Sequence, residues 1–463
     1  MRILFASSEV FPFSKTGGLG DVLGALPEAL VALGHEVMVA SPWYKTLKGQ
    51  QPLWIGDEWV AFNGGLETCG VGHLEKNGVQ YVFVGHGYFQ REHLYGYGDD
   101  VKRFCLFTRA VPQAAAKLNF APDIVHAHDW HTAYLPMVLE KAAHLPEGFP
   151  NLPSVFTIHN IQHQGDSGLE ETVYWLRMPP ALKGEHMNHF GGANALQAGL
   201  GFAHHVTTVS PTYAAEIQSP QYGYGLDGTL RHISGKLSGI LNGIDTDIWT
   251  PEGNDALAQP YEVGDLSGKA ENKRVLESRF GLTPGKPLAG VVSRLADQKG
   301  IDILLDAASE LLWQDWSLVV LGSGQDELEA RLHALTGANP GRVGSHIGYD
   351  ERLAHLVYAG VDSLLIPSRF EPCGLTQMIA MRYGTLPIAR ATGGLVDTIQ
   401  HDVTGFLFEH AEPEGLLWAT KVARDAFDSS QHWRYMGDQA SQQDFSWARS
   451  AQRYSELYGQ LSR

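Results

Sequence analysis

The residues Lys15-Thr16-Gly17-Gly18-Leu19-Gly20-Asp21 follow an apolar run, Arg2–Ala6, and lead into a helical pattern over Val22–Leu33. Glycines entering a helix let backbone N–H groups approach an anion, the helix dipole favours it, and Lys15 adds a point charge. The chemistry this allows is phosphate binding; the same residues also read as a Gly-rich turn with a solvated lysine. No Gly-x-Gly-x-x-Gly follows the first strand, and no Gly-x-x-x-x-Gly-Lys-Ser/Thr occurs anywhere. Dinucleotide hydride transfer and P-loop chemistry both lose support.

The second half carries a matching set. Ser293-Arg294-Leu295 follows the run Leu288–Val292, with Asp297-Gln298-Lys299-Gly300 next. Arg294 offers a planar fork and Lys299 a compact charge, a pair able to clamp a diphosphate or to lie solvated in a loop. Ser368-Arg369-Phe370-Glu371-Pro372-Cys373-Gly374-Leu375-Thr376 follows Leu364–Pro367 and enters the helical run Gln377–Tyr383. A helix start there aims the amides of Leu375 and Thr376 at a phosphate oxygen. Glu371 then stands beside the same site, or serves as a capping or surface carboxylate. His159-Asn160 follows Ser154–Ile158, again at a strand end. His126-Ala127-His128-Asp129-Trp130-His131 and Asp245-Thr246-Asp247 look metal-like, but a structural site wants four converging ligands and no cysteine lies near the histidines, and the aspartates sit in a turn, Asn242-Gly243-Ile244-Asp245. No metal is expected at either.

These segments need strand ends to hold them. Short runs apolar throughout recur at Arg2–Ala6, Glu36–Ala40, Tyr81–Val84, Asp123–Ala127, Ser154–Ile158 and His205–Val209. They return at Leu288–Val292, Ser317–Leu321, Ser363–Ile366 and Leu386–Ala389. Such runs read as strands buried on both faces of parallel sheets, so two doubly wound α/β domains are expected, with ligands beyond the carboxyl ends of the strands. The turn-rich stretch Trp249–Gly268 marks the junction. Domains of residues 1–250 and 251–445 follow, with a last helix over 446–463.

Composition bounds the partners. The chain has 463 residues, 52 of them Gly, and a formal charge of −17. That field repels nucleic acid and anionic lipid, so an anionic ligand needs a local cationic cluster. Three scattered cysteines without Cys-x-x-Cys spacing fit a reducing cytoplasm. No signal-peptide core and no membrane-length apolar run is found.

Taken together, Lys15 to Asp21, His126-Ala127-His128-Asp129-Trp130, Thr157-Ile158-His159-Asn160, Asn242-Gly243-Ile244-Asp245, Ser293-Arg294-Leu295, Gln298-Lys299-Gly300 and Glu371-Pro372-Cys373-Gly374-Leu375 resemble the bacterial glycogen synthase and plant starch synthase family, over essentially the whole chain. The resemblance implies two Rossmann-like domains facing across a cleft, of the GT-B type. It implies metal-independent, retaining transfer of glucose from ADP-glucose to the non-reducing end of an α-1,4-glucan, with no cofactor. It makes Lys15, Gly17 and Gly18, with Asp21 nearby, diphosphate ligands opposed by Arg294 and Lys299. Glu371 holds sugar hydroxyls against Cys373 and Gly374, and the Leu375 and Thr376 amides bind phosphate. His159 and Asn160 sit at the sugar, Asp129 and Asn242 in or beside its pocket, and Tyr349 near adenine. The family's usual aromatic before Gln164-Gly165 is His163 here, in a loop read as flexible and acceptor-facing. A UDP-glucose transferase of the same architecture is the nearest alternative, and a non-catalytic nucleotide- or glucan-binding regulator another.

Overall fold

Ile3, Leu4, Phe5 and Ala6 are fully buried on both faces of their pleat, the environment of a central parallel strand covered by helices. The computed structural model, which describes residues 1–184 and 187–462, divides into two units. One is Met1–Gly243 with the C-terminal helix Trp447–Leu461; the other is Ile244–Ser446.

In the first unit a nine-stranded sheet runs Leu237–Gly239, His205–Thr208, Ser154–Ile158, Ile124–His128, Arg2–Ala6, Glu36–Pro42, Val79–Gly85, Gly65–Lys76, Leu53–Phe62. The first seven pair in parallel and the last two are antiparallel. The sequence reading missed that antiparallel pair because Gly56-Asp57-Glu58 and the glycines and charges of Gly65–Lys76 interrupt its apolar stretches, leaving only short runs such as Trp59-Val60-Ala61-Phe62. Its signal was the turn Asn63-Gly64, both residues at positive φ, which closes a tight hairpin. A small sheet of Asp166–Ser167, Gly192–Asn194 and Asn188–His189 was also missed.

Helix Gly18–Ala32 buries Leu19, Val22, Leu23, Leu26 and Leu30, spaced by one helical face. The C-terminal helix answers with Ala451, Tyr454, Leu457 and Tyr458 in the same core cluster. A wholly buried leucine or valine in this set contributes roughly 1.5–3 kcal/mol, and the packing fastens the C-terminal helix to the first unit.

The second unit holds six parallel strands in the order Val343–Ile347, Ser317–Gly322, Leu288–Val292, Ser363–Ile366, Leu386–Arg390, Phe406–Phe408. The stretch Trp249–Gly268 lies inside this unit, with the division between Gly243 and Ile244. It is held there by the Trp249 ring stacked 4.6 Å from that of His355 and by Tyr261 OH donating to Tyr383 O at 2.8 Å. Among the described residues no helix is long and apolar enough to cross a membrane.

Candidate functional site

The second unit has its topological switch point between Leu288–Val292 and Ser363–Ile366, since the strands following each lie on opposite sides. Loops leaving the two strand ends diverge there and open a crevice. Lys299, from the first loop, places Nζ 2.6 Å from Glu371 Oε2, from the second. Ser368 Oγ donates to the same oxygen at 3.1 Å, and Glu371 is only 7% exposed. A glycine permits this approach: Gly300 has φ +66°, and a Cβ there would sit 2.0 Å from Pro367 O. Arg369 turns away, forking onto Asp302 with both bonds at 2.7 Å, and so locks the two loops together.

Arg294 lies exposed at the rim, its Nη2 3.3 Å from Gln298 Oε1. Gly374, at φ +73°, and buried Cys373 precede Leu375, the N-cap of helix Thr376–Arg382. The Gln377 amide binds the carbonyls of Cys373 and Gly374 at 3.1 and 2.9 Å, leaving the first amides of the helix without intrahelical acceptors. Tyr349 follows the edge strand Val343–Ile347, two strands from the switch point, and is 81% exposed. Its hydroxyl donates to Glu351 at 2.8 Å.

In the first unit the switch point lies between Arg2–Ala6 and Ile124–His128. Here sequence reasoning missed Glu9. Its Oε2 accepts from Thr16 N at 2.6 Å and Gly17 N at 3.2 Å, while Oε1 accepts from Thr16 Oγ1 at 2.6 Å and Tyr95 OH at 2.8 Å. The Gly17 amide is therefore already engaged, and Gly18, first residue of its helix, carries the next one. The available signal was an acid three residues past a strand end, in a loop otherwise suited to anions. Lys15 Nζ lies 2.6 Å from Asp21 Oδ1. A Cβ on Gly17 or Gly18 would meet nothing within 4 Å, so packing within the chain does not explain these glycines.

Asp129, at φ +55°, accepts from His159 N at 2.7 Å and Asn160 N at 3.4 Å. Burial raises its pKa to about 7 although both amides pull downward. Burial drives His159 down to about 3, so its ring is neutral at physiological pH. Asn160 Oδ1 accepts from Gln162 N at 3.0 Å, closing a turn. Asn242 is buried, and its Oδ1 has no partner among the described residues. The segment read as a flexible loop is tied down: Gln164 donates to Ile161 O at 3.2 Å and Tyr224 O at 3.0 Å and accepts from Asn194 at 2.7 Å. His163 N donates to Asn160 O at 3.4 Å within it.

His126 and His128 are engaged with Tyr458, Thr157 and His159, and Asp245 Oδ1 caps its own turn through Asp247 N and Ile248 N. Among the described residues no group of three or more His, Cys, Asp or Glu is arranged to hold a metal ion.

Two α/β units, each with its polar side chains beyond the carboxyl ends of a mainly parallel sheet, are the architecture of the GT-B class of glycosyltransferases. Sucrose-phosphate synthase from Thermosynechococcus elongatus shares this fold, with a TM-score of 0.64 over 99% of this chain and 98% of that one at 18% identity. Residues 2–232 match the starch synthase catalytic domain and residues 273–437 the glycosyl transferases group 1. A glycogen synthase of Deinococcus radiodurans is 47% identical over 99% of both chains, and one of Myxococcus xanthus 44% over 100% of this chain and 99% of that one. The catalytic domain of starch synthase IV from Arabidopsis thaliana, solved bound to ADP and acarbose, is 33% identical with a TM-score of 0.90 over 100% of this chain and 99% of that one. The chain belongs to the glycogen synthase and starch synthase family, glycosyltransferases that move glucosyl units onto a glucan.

Proposed function

We propose that the donor is ADP-glucose, the acceptor the non-reducing end of an α-1,4-glucan, and the outcome retention at the anomeric carbon. The observation that carries this reading is the Lys299–Glu371 pair at the switch point of the second unit. It sets a cation for phosphate beside a carboxylate for sugar hydroxyls. Breaking the anomeric bond leaves charge on the diphosphate, and preorganised cations and amides aimed at that charge are the largest expected contribution. Arg294, Lys299 and the Leu375 and Thr376 amides supply them from one unit. Lys15 and the Gly18 amide, with Gly17 leaving room for close approach and Asp21 holding Lys15 until the donor arrives, supply them from the other.

Glu371 then binds sugar hydroxyls, with Cys373 and Gly374 against the ring. His159 and Asn160 sit at the sugar, Asp129 fixes their backbone, and the unpaired Oδ1 of Asn242 faces a hydroxyl. Tyr349, exposed beyond the edge strand, stacks on adenine. The family resemblance assigns no carboxylate as nucleophile, which favours attack on the face the leaving phosphate vacates, that phosphate taking the acceptor's proton. The cations do the work a magnesium ion does elsewhere, so chelation is expected to leave the rate unchanged. A reducing cytoplasm suits the three buried free cysteines.

The deciding experiment supplies ADP-[14C]glucose or UDP-[14C]glucose with glycogen, with and without EDTA, and reads label in α-amylase-sensitive polymer. Faster transfer from the ADP donor is expected. Preference for UDP-glucose, or label resistant to α-amylase, would overturn the reading.

A further inference from the structure

Three histidines stand in a row inside the first unit. His126 and His128 lie on one face of strand Ile124–His128, their ring centroids 4.1 Å apart. His159 follows the neighbouring strand Ser154–Ile158, and its Nε2 lies 2.9 Å from His128 Nδ1. At the far end, His126 Nδ1 is 2.7 Å from Tyr458 OH of the C-terminal helix. His126 Nε2 is 2.6 Å from Thr157 Oγ1, itself 2.5 Å from Thr207 Oγ1. His126 is thus satisfied on both nitrogens and forms a fixed wall against which the His128 ring packs at a tilt of 31°. His128 differs: its Nε2 is buried with no partner among the described residues.

That asymmetry assigns the protons. Burial lowers the pKa of all three rings, so each is neutral and carries one N–H. Between His128 Nδ1 and His159 Nε2 only one nitrogen donates. If His159 donates, His128 must carry its hydrogen on Nε2, a buried N–H with no acceptor. If His128 donates, the orphan is only a lone pair. Buried orphan donors are the rarer of the two in folded proteins, and leaving one unpaired costs its full desolvation.

We propose that His128 is a positioning residue that holds His159 in the Nδ1–H tautomer, with Nε2 as acceptor, so that His159 presents an N–H donor to an oxygen of the bound hexose. The last clause rests on the reading of His159 as a sugar contact. His159 Nδ1 has no protein partner among the described residues, and the tautomer decides whether that nitrogen gives or takes a hydrogen bond. The C-terminal helix takes part at one remove, because Tyr458 orients the ring against which His128 packs.

Long-range 15N–1H correlation spectra of histidine-labelled protein, with the His159 signals assigned by their loss in His159→Ala, test this directly. A protonated Nδ1 and a bare Nε2 on His159 are expected at neutral pH, and a protonated Nε2 overturns the proposal. In His128→Leu, which removes the donor, His159 should shift toward the Nε2–H form. Turnover should fall about 10-fold or more, with ADP affinity within about threefold. His128→Asn, whose amide nitrogen reaches the Nδ1 position, should restore most of the rate and the Nδ1–H form. Thermal melting checks that each variant folds; if the leucine variant does not, the wild-type spectrum and the asparagine variant decide alone. A folded leucine variant with unchanged tautomer and turnover also overturns the proposal. Full turnover in His159→Ala would instead overturn the sugar contact while the spectrum still reported the tautomer.

Discussion

Both units gather polar groups at a switch point, yet they hold their carboxylates in opposite ways. In the first, Glu9 is bound through one oxygen to the amides of Thr16 and Gly17 and through the other to the hydroxyls of Thr16 and Tyr95, and Asp129 is bound to the amides of His159 and Asn160. In the second, Glu371 is bound to the side chains of Lys299 and Ser368. A carboxylate on backbone amides fixes the path of a loop and cannot be displaced without breaking that loop. A carboxylate on a lysine can exchange partners when an anion and a sugar arrive together. The first crevice is therefore a shaped wall and the second a set of charges held in reserve. The exception in the first, Lys15–Asp21, is more exposed than Lys299–Glu371, with side chains 40% and 35% exposed against 20% and 9%, and contributes correspondingly little in water.

The sharpest way to break this contrast is Glu371→Ala. Turnover should fall about 10²–10³-fold or more while ADP affinity stays within a few-fold, because the variant loses the sugar contact and frees Lys299 for phosphate. Steady-state kinetics with ADP titration checks it, and near-normal turnover would remove Glu371 from the site.

Lys15→Ala and Lys299→Ala should each lower turnover by about 10–100-fold, and the double variant should lose less than the product of the two. That shortfall, measured in a double-mutant cycle, would tie both lysines to one diphosphate. Strictly multiplicative losses would mean that they do not share a ligand.

Glu9→Gln should raise the KM for the donor about 10-fold, the scale of one hydrogen bond to a charged group, since one carbonyl oxygen cannot serve both the amides of Thr16 and Gly17 and the hydroxyls of Thr16 and Tyr95. Turnover at saturation should change less. An unchanged KM would show that the loop keeps its path without the carboxylate.

The smallest effect lies in acid. His126, His128 and His159 are held neutral by burial, so the unfolded chain takes up protons below pH 6.5 while the folded first unit does not. The stability they contribute is complete above about 6.5 and is lost as pH falls toward the folded value, about 3 for His159. Asp129, raised to about 7, has the opposite sign: its contribution is present below about 4 and lost as pH rises through 7. It offsets one histidine of the three. Among the described histidines of the second unit only His355 shows a resolved depression. Hydrogen exchange between pH 6.5 and 4.5 should show the first unit losing protection first, and loss beginning in the second would contradict this account.

Much of this molecule is readable from local pattern. The buried strands are continuous apolar runs, so Arg2–Ala6, Ser154–Ile158, Leu288–Val292 and Ser363–Ile366 stand at their expected limits. The polar residues after them, Lys15, Arg294, Lys299, His159 and Glu371, stand at strand ends because the chain must turn there. The hairpin Leu53–Lys76 escaped because much of it is exposed and charged residues and glycines interrupt its apolar stretches.

The order of residues determined the parallel strands of both units, the strand-end loops and the family. Only the tertiary structure decided which groups those loops engage: that Glu9 holds the Gly17 amide, that Lys299 rests on Glu371, and that His128 reaches His159 while the chain's last helix supports the row from behind. Such contacts join residues from 8 to 332 positions apart. Strand order and the burial around each group set them, because a hydrogen bond depends on distance and angle in space, and neighbours along the chain carry no record of either.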